Sequence, residues 1–286
     1  MFSRREFIGG AAAASAWCAA ASARVTGVQL YAVRAGLKKD PDATLKALAG
    51  IGFKDVEGYN RPASIALAPK LKDYGLALRS CQVEAPLITN NWELFPDLKP
   101  ISLKEAIDTV AGAGAEYFTM GYISPGARGD GEDFFRRTGD RMNAAADQCR
   151  KASLKFAFQT HAFEFAGRPG LRPIDLYRER LDPKLVGMEL DVFWASVAGQ
   201  DVPRLLKDWK GHVPLLRLAD KARGVPHQFE EAIGNGAFAE MGEGDIDFPT
   251  ILKAAAGAGA KYYFAGQDET EGDPIESLRK AYAKLN

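Results

Sequence analysis

Histidine and cysteine are scarce, with three of each in 286 residues. A structural zinc framework draws four ligands from these two types, usually in close pairs, and no such pairing occurs. An excess of positive charge is also missing. Lys+Arg and Asp+Glu are both 37, so the chain lacks the basic footprint that a nucleic-acid binder carries. Long apolar runs are missing as well. The Ala/Gly-rich stretch at residues 8–23 falls short of the ~20 apolar residues that span a bilayer, and no later stretch is long enough. Low-complexity segments and linkers are absent, which points to one domain. The composition that remains is globular, with 47% hydrophobic and 26% charged residues. A chain of this length and make-up buries a sizeable core and is not mainly disordered.

The first 23 residues read as an address. Ser3-Arg4-Arg5-Glu6-Phe7-Ile8 resembles the bacterial twin-arginine export signal, and Ala21-Ser22-Ala23 is a small-x-small cleavage site. The resemblance implies passage through the Tat machinery, loss of residues 1–23, no stable membrane anchor and a periplasmic protein that starts at Arg24. Trp17 sits where a lipoprotein signal needs a small residue, which argues against lipid on Cys18. Cys81 and Cys149 fall in apolar settings and read as buried free thiols.

From Arg24 onward one unit repeats. Short apolar runs occur at Gly27–Val33, Phe53–Gly58, Ala77–Val83, Tyr117–Tyr122, Leu154–Phe158, Val186–Val192, Val213–Ala219 and Tyr262–Gly266. Their length suits strands of a parallel sheet buried on both faces. Amphipathic segments separate them, predicted as helices over 41–50, 63–74, 102–112, 131–152, 173–181, 202–210, 248–257 and 274–284. Asp40-Pro41 and Asp273-Pro274 place an N-cap before Pro at the first helical position, and Ser102 to Glu105 forms a capping box. Gly50-Ile-Gly52, Gly112-Ala-Gly114 and Gly257-Ala-Gly259 stop three helices ahead of strands. Eight strands alternating with eight helices predict a single-domain α/β fold, a (β/α)8 barrel over residues 24–286. An open doubly wound sheet would carry a Gly-rich phosphate turn after the first strand, and Gln29 to Arg34 has none. The longest irregular stretch, 221–247, follows the seventh strand and is expected to shape the active face.

Several strand ends resemble one family. Gly27-Val-Gln-Leu-Tyr-Ala-Val-Arg34, Gly52-Phe-Lys-Asp-Val-Glu57, Glu189-Leu-Asp191-Val-Phe-Trp194, Gly242-Glu-Gly-Asp-Ile-Asp-Phe-Pro249 and Gln267-Asp268 with Asp273 to Arg279 are similar to the motifs of sugar phosphate isomerase/epimerase-like proteins. These are xylose isomerase-like TIM barrels. The resemblance implies a divalent metal (Mn, Zn or Mg) at the carboxyl end of the barrel, a small carbohydrate as ligand and proton transfer next to a carbonyl.

The chain departs from the family pattern at the implied ligand positions on strands five to eight. They hold Gln159, Asp191, Arg217 and Gly266, and the histidine that usually ends strand three is Gln82. Only Asp191 keeps a ligand type. Arg cannot ligate a cation and adds a fixed positive charge. The expectation is therefore no bound metal, with Asp191 paired to Arg217. Glu57, Glu84 and His161 are candidate bases, and Arg217 is the candidate group for stabilising an enolate oxygen. Gln29, Tyr31, Gln82, Tyr122, Gln159, Trp194, Lys221 and Gln267 are candidate sugar contacts. Lys221 and Arg223 with Arg217 can form a positive corner for a carboxylate or phosphate. Each has a plainer reading: Glu57 as a cap, His161 as a satisfied core group, the aromatic residues as packing, and Glu164 as a brace for its loop. Two functions stay open: a sugar isomerase, epimerase or lyase-type enzyme, and a carbohydrate-binding barrel without catalysis. A nuclease of the same barrel class needs many histidines and a basic groove, and both are lacking.

Overall fold

Side-chain caps start most of the helices. Asp40, Asn60, Ser102, Asp201, Asp247 and Asp273 each accept a backbone N–H from the first turn that follows. These bonds satisfy amides that a helix start leaves without partners. At the other end, Gly52, Gly114 and Gly259 adopt positive φ and turn the chain toward the next strand. The computed structural model describes residues 24–94, 98–129 and 131–286. The export-signal segment, 1–23, lies outside them.

The strands are β1 (Gly27–Gln29), β2 (Asp55–Gly58), β3 (Ala77–Val83), β4 (Tyr117–Met120), β5 (Lys155–Gln159), β6 (Val186–Asp191), β7 (Leu215–Leu218) and β8 (Tyr262–Ala265). Each pairs in parallel with its neighbour in sequence, and β8 pairs with β1 to close the barrel. All eight strands and all eight helices expected from the sequence are present. One boundary moves. β1 ends at Gln29, and Leu30–Val33 forms a 3-10 turn in place of further strand. That turn carries Tyr31 to the barrel mouth.

Register fixes which side chains point inward. Tyr117, Ala157, Leu215 and Phe264 pack together inside the lower barrel. One repeat further along, the inward positions turn polar: Gln29, Glu57, Ser80, Thr119, Gln159, Glu189 and Arg217, all buried. Asp191 and Arg217 stand opposite each other on β6 and β7. The larger core lies outside the strands, between sheet and helices. Cys81 and Cys149 are free thiols buried there, and burial pushes both up to about 12. The chain ends meet: the Val25 N–H donates to Asn286 Oδ1 at 3.0 Å, and Asn286 Nδ2 donates back to the Val25 carbonyl at 3.2 Å. Among the described residues, no helix is long and apolar enough to cross a membrane.

Candidate active site

The last inward residues of β2, β3, β5, β6 and β7 form one hydrogen-bonded chain. Gln82 Nε2 donates to Glu57 Oε1 at 3.2 Å and to Gln159 Oε1 at 2.7 Å. Gln159 Nε2 donates to Asp191 Oδ2 at 3.1 Å. Arg217 Nη1 donates to the same oxygen at 2.7 Å, and Arg217 Nη2 reaches Asp268 Oδ1 and, at 3.3 Å, the Gly266 carbonyl. Asp191 Oδ1 accepts the Trp194 N–H at 3.1 Å, which caps the short helix Val192–Val197. The Asp191–Arg217 pair expected from the sequence is thus present and wholly buried.

Above this floor lies a cavity of about 480 Å³ at the carboxyl ends of the strands. Gln29, Gln82, Gln159, Arg217 and Asp268 form its base. Tyr31, Tyr59, Tyr122, His161 and Trp194 give it aromatic walls. Tyr122 leans on His161 with ring centres 4.7 Å apart. Glu84, on the wall, is held by both arms of Arg61 at 3.0 Å. Glu231 enters from the loop after β7. It accepts from the Phe163 N–H, from Arg128 and from the Tyr122 hydroxyl.

Burial decides the protonation of this site. Taken out of water and beside Arg217 and Arg128, His161 is held down to about 3 and is neutral at physiological pH. Burial raises Glu164 to about 8, and its Oε2 accepts the His161 N–H at 2.7 Å. It therefore braces the loop. Burial raises Glu57 as well, and burial together with the Glu57 charge raises Glu189 well above the carboxylate range. No N–H or O–H donor reaches either Glu189 oxygen or Glu57 Oε2. Both shifts favour protonation of this buried carboxyl pair beneath the floor. Burial also raises Asp191, with Arg217 opposing, and three N–H donors on its oxygens call for the carboxylate form. Arg217 loses hydration on burial, yet Asp268 and Asp191 hold it more firmly protonated than a free arginine.

Most of the residues singled out in the sequence meet here: Gln29, Tyr31, Gln82, Glu84, Tyr122, Gln159, His161, Trp194 and Arg217 line the cavity. Glu57 and Asp191 sit under its floor, fully buried. Two candidates lie elsewhere. Lys221 turns into a separate cleft, where its Nζ bonds Asp245 at 2.7 Å. The positive corner expected from Arg217, Lys221 and Arg223 therefore does not form, because Asp245 draws Lys221 away and carboxylates surround Arg217. Gln267 is buried but is not among the cavity walls. Sequence reasoning missed Arg61, Glu231 and Asp268 as site residues. Asp268 lies inside a quoted motif and could have been found there. Arg61 opens a helix, and Glu231 sits in an aperiodic loop that gives no positional signal.

The donor set does not fit a divalent cation. Such an ion needs several hard oxygen or imidazole ligands. Asp191 has its oxygens taken by Arg217, Gln159 and the Trp194 amide. Gly266 offers no side chain, and a Cβ there would come within 3.1 Å of Gln29. Among the described residues, no three His, Cys, Asp or Glu side chains group as a metal site.

Fold and cavity together define a class, the (β/α)8 barrels that carry their chemistry at the carboxyl end of the strands. Within that class, the xylose isomerase-like TIM barrel model matches residues 45–281, and the chain belongs to this family. A sugar phosphate isomerase/epimerase from Parabacteroides distasonis is similar in structure, with a TM-score of 0.71 and 22% identity over 96% of this chain and 97% of that one. The 3-keto-D-glucoside 4-epimerase from E. coli has a TM-score of 0.67 and 13% identity, covering 92% of this chain and 99% of that one. The IOLI protein, solved with a bound zinc atom, has a TM-score of 0.67 and 14% identity over 91% and 95%. At these identities the likeness establishes the fold. Among curated proteins none matches the chain in sequence.

Proposed function

We propose that the protein is an isomerase, epimerase or lyase-type enzyme that moves a proton next to the carbonyl of a sugar or keto-sugar without a resident metal. The observation that carries this reading is Arg217 at the cavity floor, fixed between Asp191 and Asp268 at the end of β7. A buried guanidinium that cannot lose its proton is a preorganised electrophile for a developing enolate oxygen. Neutral His161, on the cavity wall, supplies a further hydrogen bond to a sugar hydroxyl or carbonyl. Of the carboxylates facing the cavity, Glu84 has both oxygens engaged by Arg61 and Glu231 has both engaged by its three donors. Asp268 is bound only through Oδ1, so Oδ2 is the base this reading assigns. Glu57 acts from below, where its Oε1 accepts a hydrogen bond from Gln82 in the cavity base. The aromatic walls suit the apolar faces of a sugar ring. The related epimerases and isomerases of the same fold support the reaction class.

The test is solvent exchange. A panel of aldo- and keto-sugars incubated with the protein in D2O should show deuterium entering beside the carbonyl by NMR for at least one member. Arg217→Met and Asp268→Asn should each lower that rate by ~100-fold or more, the scale of a lost oxyanion donor or general base. Sugars that bind with no exchange at any position would sink the catalytic reading in favour of a binding barrel.

A further inference from the structure

Among the described residues, each cation that lines the cavity or backs its wall is committed to a carboxylate. Arg61 holds Glu84, and both are nearly buried. Arg128, behind the wall, holds Glu231. Arg34, packed over the Tyr31 ring at the mouth, holds Glu269. Arg217 faces two carboxylates, Asp191 and Asp268. Lys221 is paired to Asp245 in another cleft. Histidine adds no positive charge, because His161 is neutral. Among the described residues the cavity thus holds no free cation, and Arg217 itself carries one negative charge in excess beside an open oxygen of Asp268.

A phosphate or carboxylate on a ligand would have to break one of these pairs or lie against that surplus charge. Breaking a nearly buried pair strands an ion away from water, which is the costly outcome. A polyol meets no such barrier. Its hydroxyls can bond the polar side chains on the cavity lining: Gln29, Gln82, the neutral His161 ring and Asp268 through Oδ2. We infer that the cavity selects an uncharged sugar and rejects the phosphorylated or carboxylated form of the same sugar. This inference rests on the sugar reading above and narrows it.

Calorimetric titration tests it with three ligand sets: inorganic phosphate, matched pairs of hexoses and their 6-phosphates, and the corresponding uronates. The protein should give no saturable heat with millimolar phosphate. It should bind at least one uncharged hexose at least ~10-fold more tightly than the phosphate or uronate partner. Glu84→Gln frees Arg61 and should create phosphate binding. Asp268→Asn removes the surplus charge and should narrow the hexose-to-phosphate gap, an independent reading should the first variant fold poorly. Phosphate binding by the unaltered protein, or a 6-phosphate bound as tightly as its hexose, overturns the selectivity and leaves the sugar reading standing. A Glu84→Gln protein that binds the hexose but gains no phosphate affinity also overturns it. A panel in which no sugar of either kind binds overturns the sugar reading and this inference together.

Discussion

Asp191 holds three donors from three directions: a guanidinium, an amide side chain and a backbone N–H. That makes it the keystone of the floor and ties the site to the stability of the barrel. Arg217→Met should destabilise the protein by about 3–5 kcal/mol in chemical denaturation, because it leaves a buried carboxylate unpaired. By the same token, purified protein should carry far less than one equivalent of Mn, Zn or Mg by elemental analysis, and deuterium exchange should survive EDTA. A stoichiometric ion at Asp191 would mean that the pair opens to admit it. Glu164 makes a pH prediction. Its carboxyl sits at about 8 when folded against an ordinary 4.5. The stability this gives is complete below pH 4.5, is lost as the pH rises and is gone above about 8. Glu164→Gln should flatten the stability profile between pH 5 and 8, where the unaltered protein loses up to about 1.4 kcal/mol per pH unit from this group. His161 acts on the opposite side: its contribution is present above 6.5 and is lost as the pH falls toward 3. At this scale the sequence was partly legible. Residues at strand ends could be placed because register puts them at one end of the barrel. Lys221 could not, since its partner Asp245 lies 24 positions away.

The stretch after β7 is the element whose role was hardest to read. It has no periodicity, yet it delivers Glu231 to the cavity wall. Asp220, just beyond β7, organises it. Its carboxylate accepts the N–H groups of Lys221, Gly242, Gly244 and Ile246. Gly244 passes so close that a Cβ would lie 2.3 Å from the Asp220 carboxylate. Asp220→Ala should cost about 1–3 kcal/mol by leaving amides unsatisfied. Hydrogen exchange at Gly242, Gly244 and Ile246 should speed up more than in the barrel strands. Uniform acceleration across the strands would show that Asp220 supports the whole barrel and not only this loop. The regular elements were legible because their signals are local: an Asp before Pro, a Gly after an apolar helix face, a five-residue apolar run. The 3-10 turn after β1 was not, since Leu30 to Val33 is as apolar as the strand it follows.

For the whole molecule, the two ends of the barrel polypeptide clasp each other through Val25 and Asn286. The first of these lies one residue beyond the proposed cleavage point. Intact-mass analysis of exported protein should find Arg24 first, and unfolding free energies with and without residues 1–23 should agree within about 0.5 kcal/mol. A mature protein that begins at Met1 would defeat the export proposal. The (β/α)8 architecture was legible in full because it repeats, and eight weak local signals reinforce one another. The circular order has a consequence for synthesis. β1 emerges from the ribosome early, but one of its two neighbours, β8, is made more than 230 residues later. A nascent chain thus carries a half-paired first strand until β8 has been made, and closure waits for that strand. Any factor that shields β1 is therefore displaced by the pairing of β8, the event that turns an open sheet edge into a closed ring.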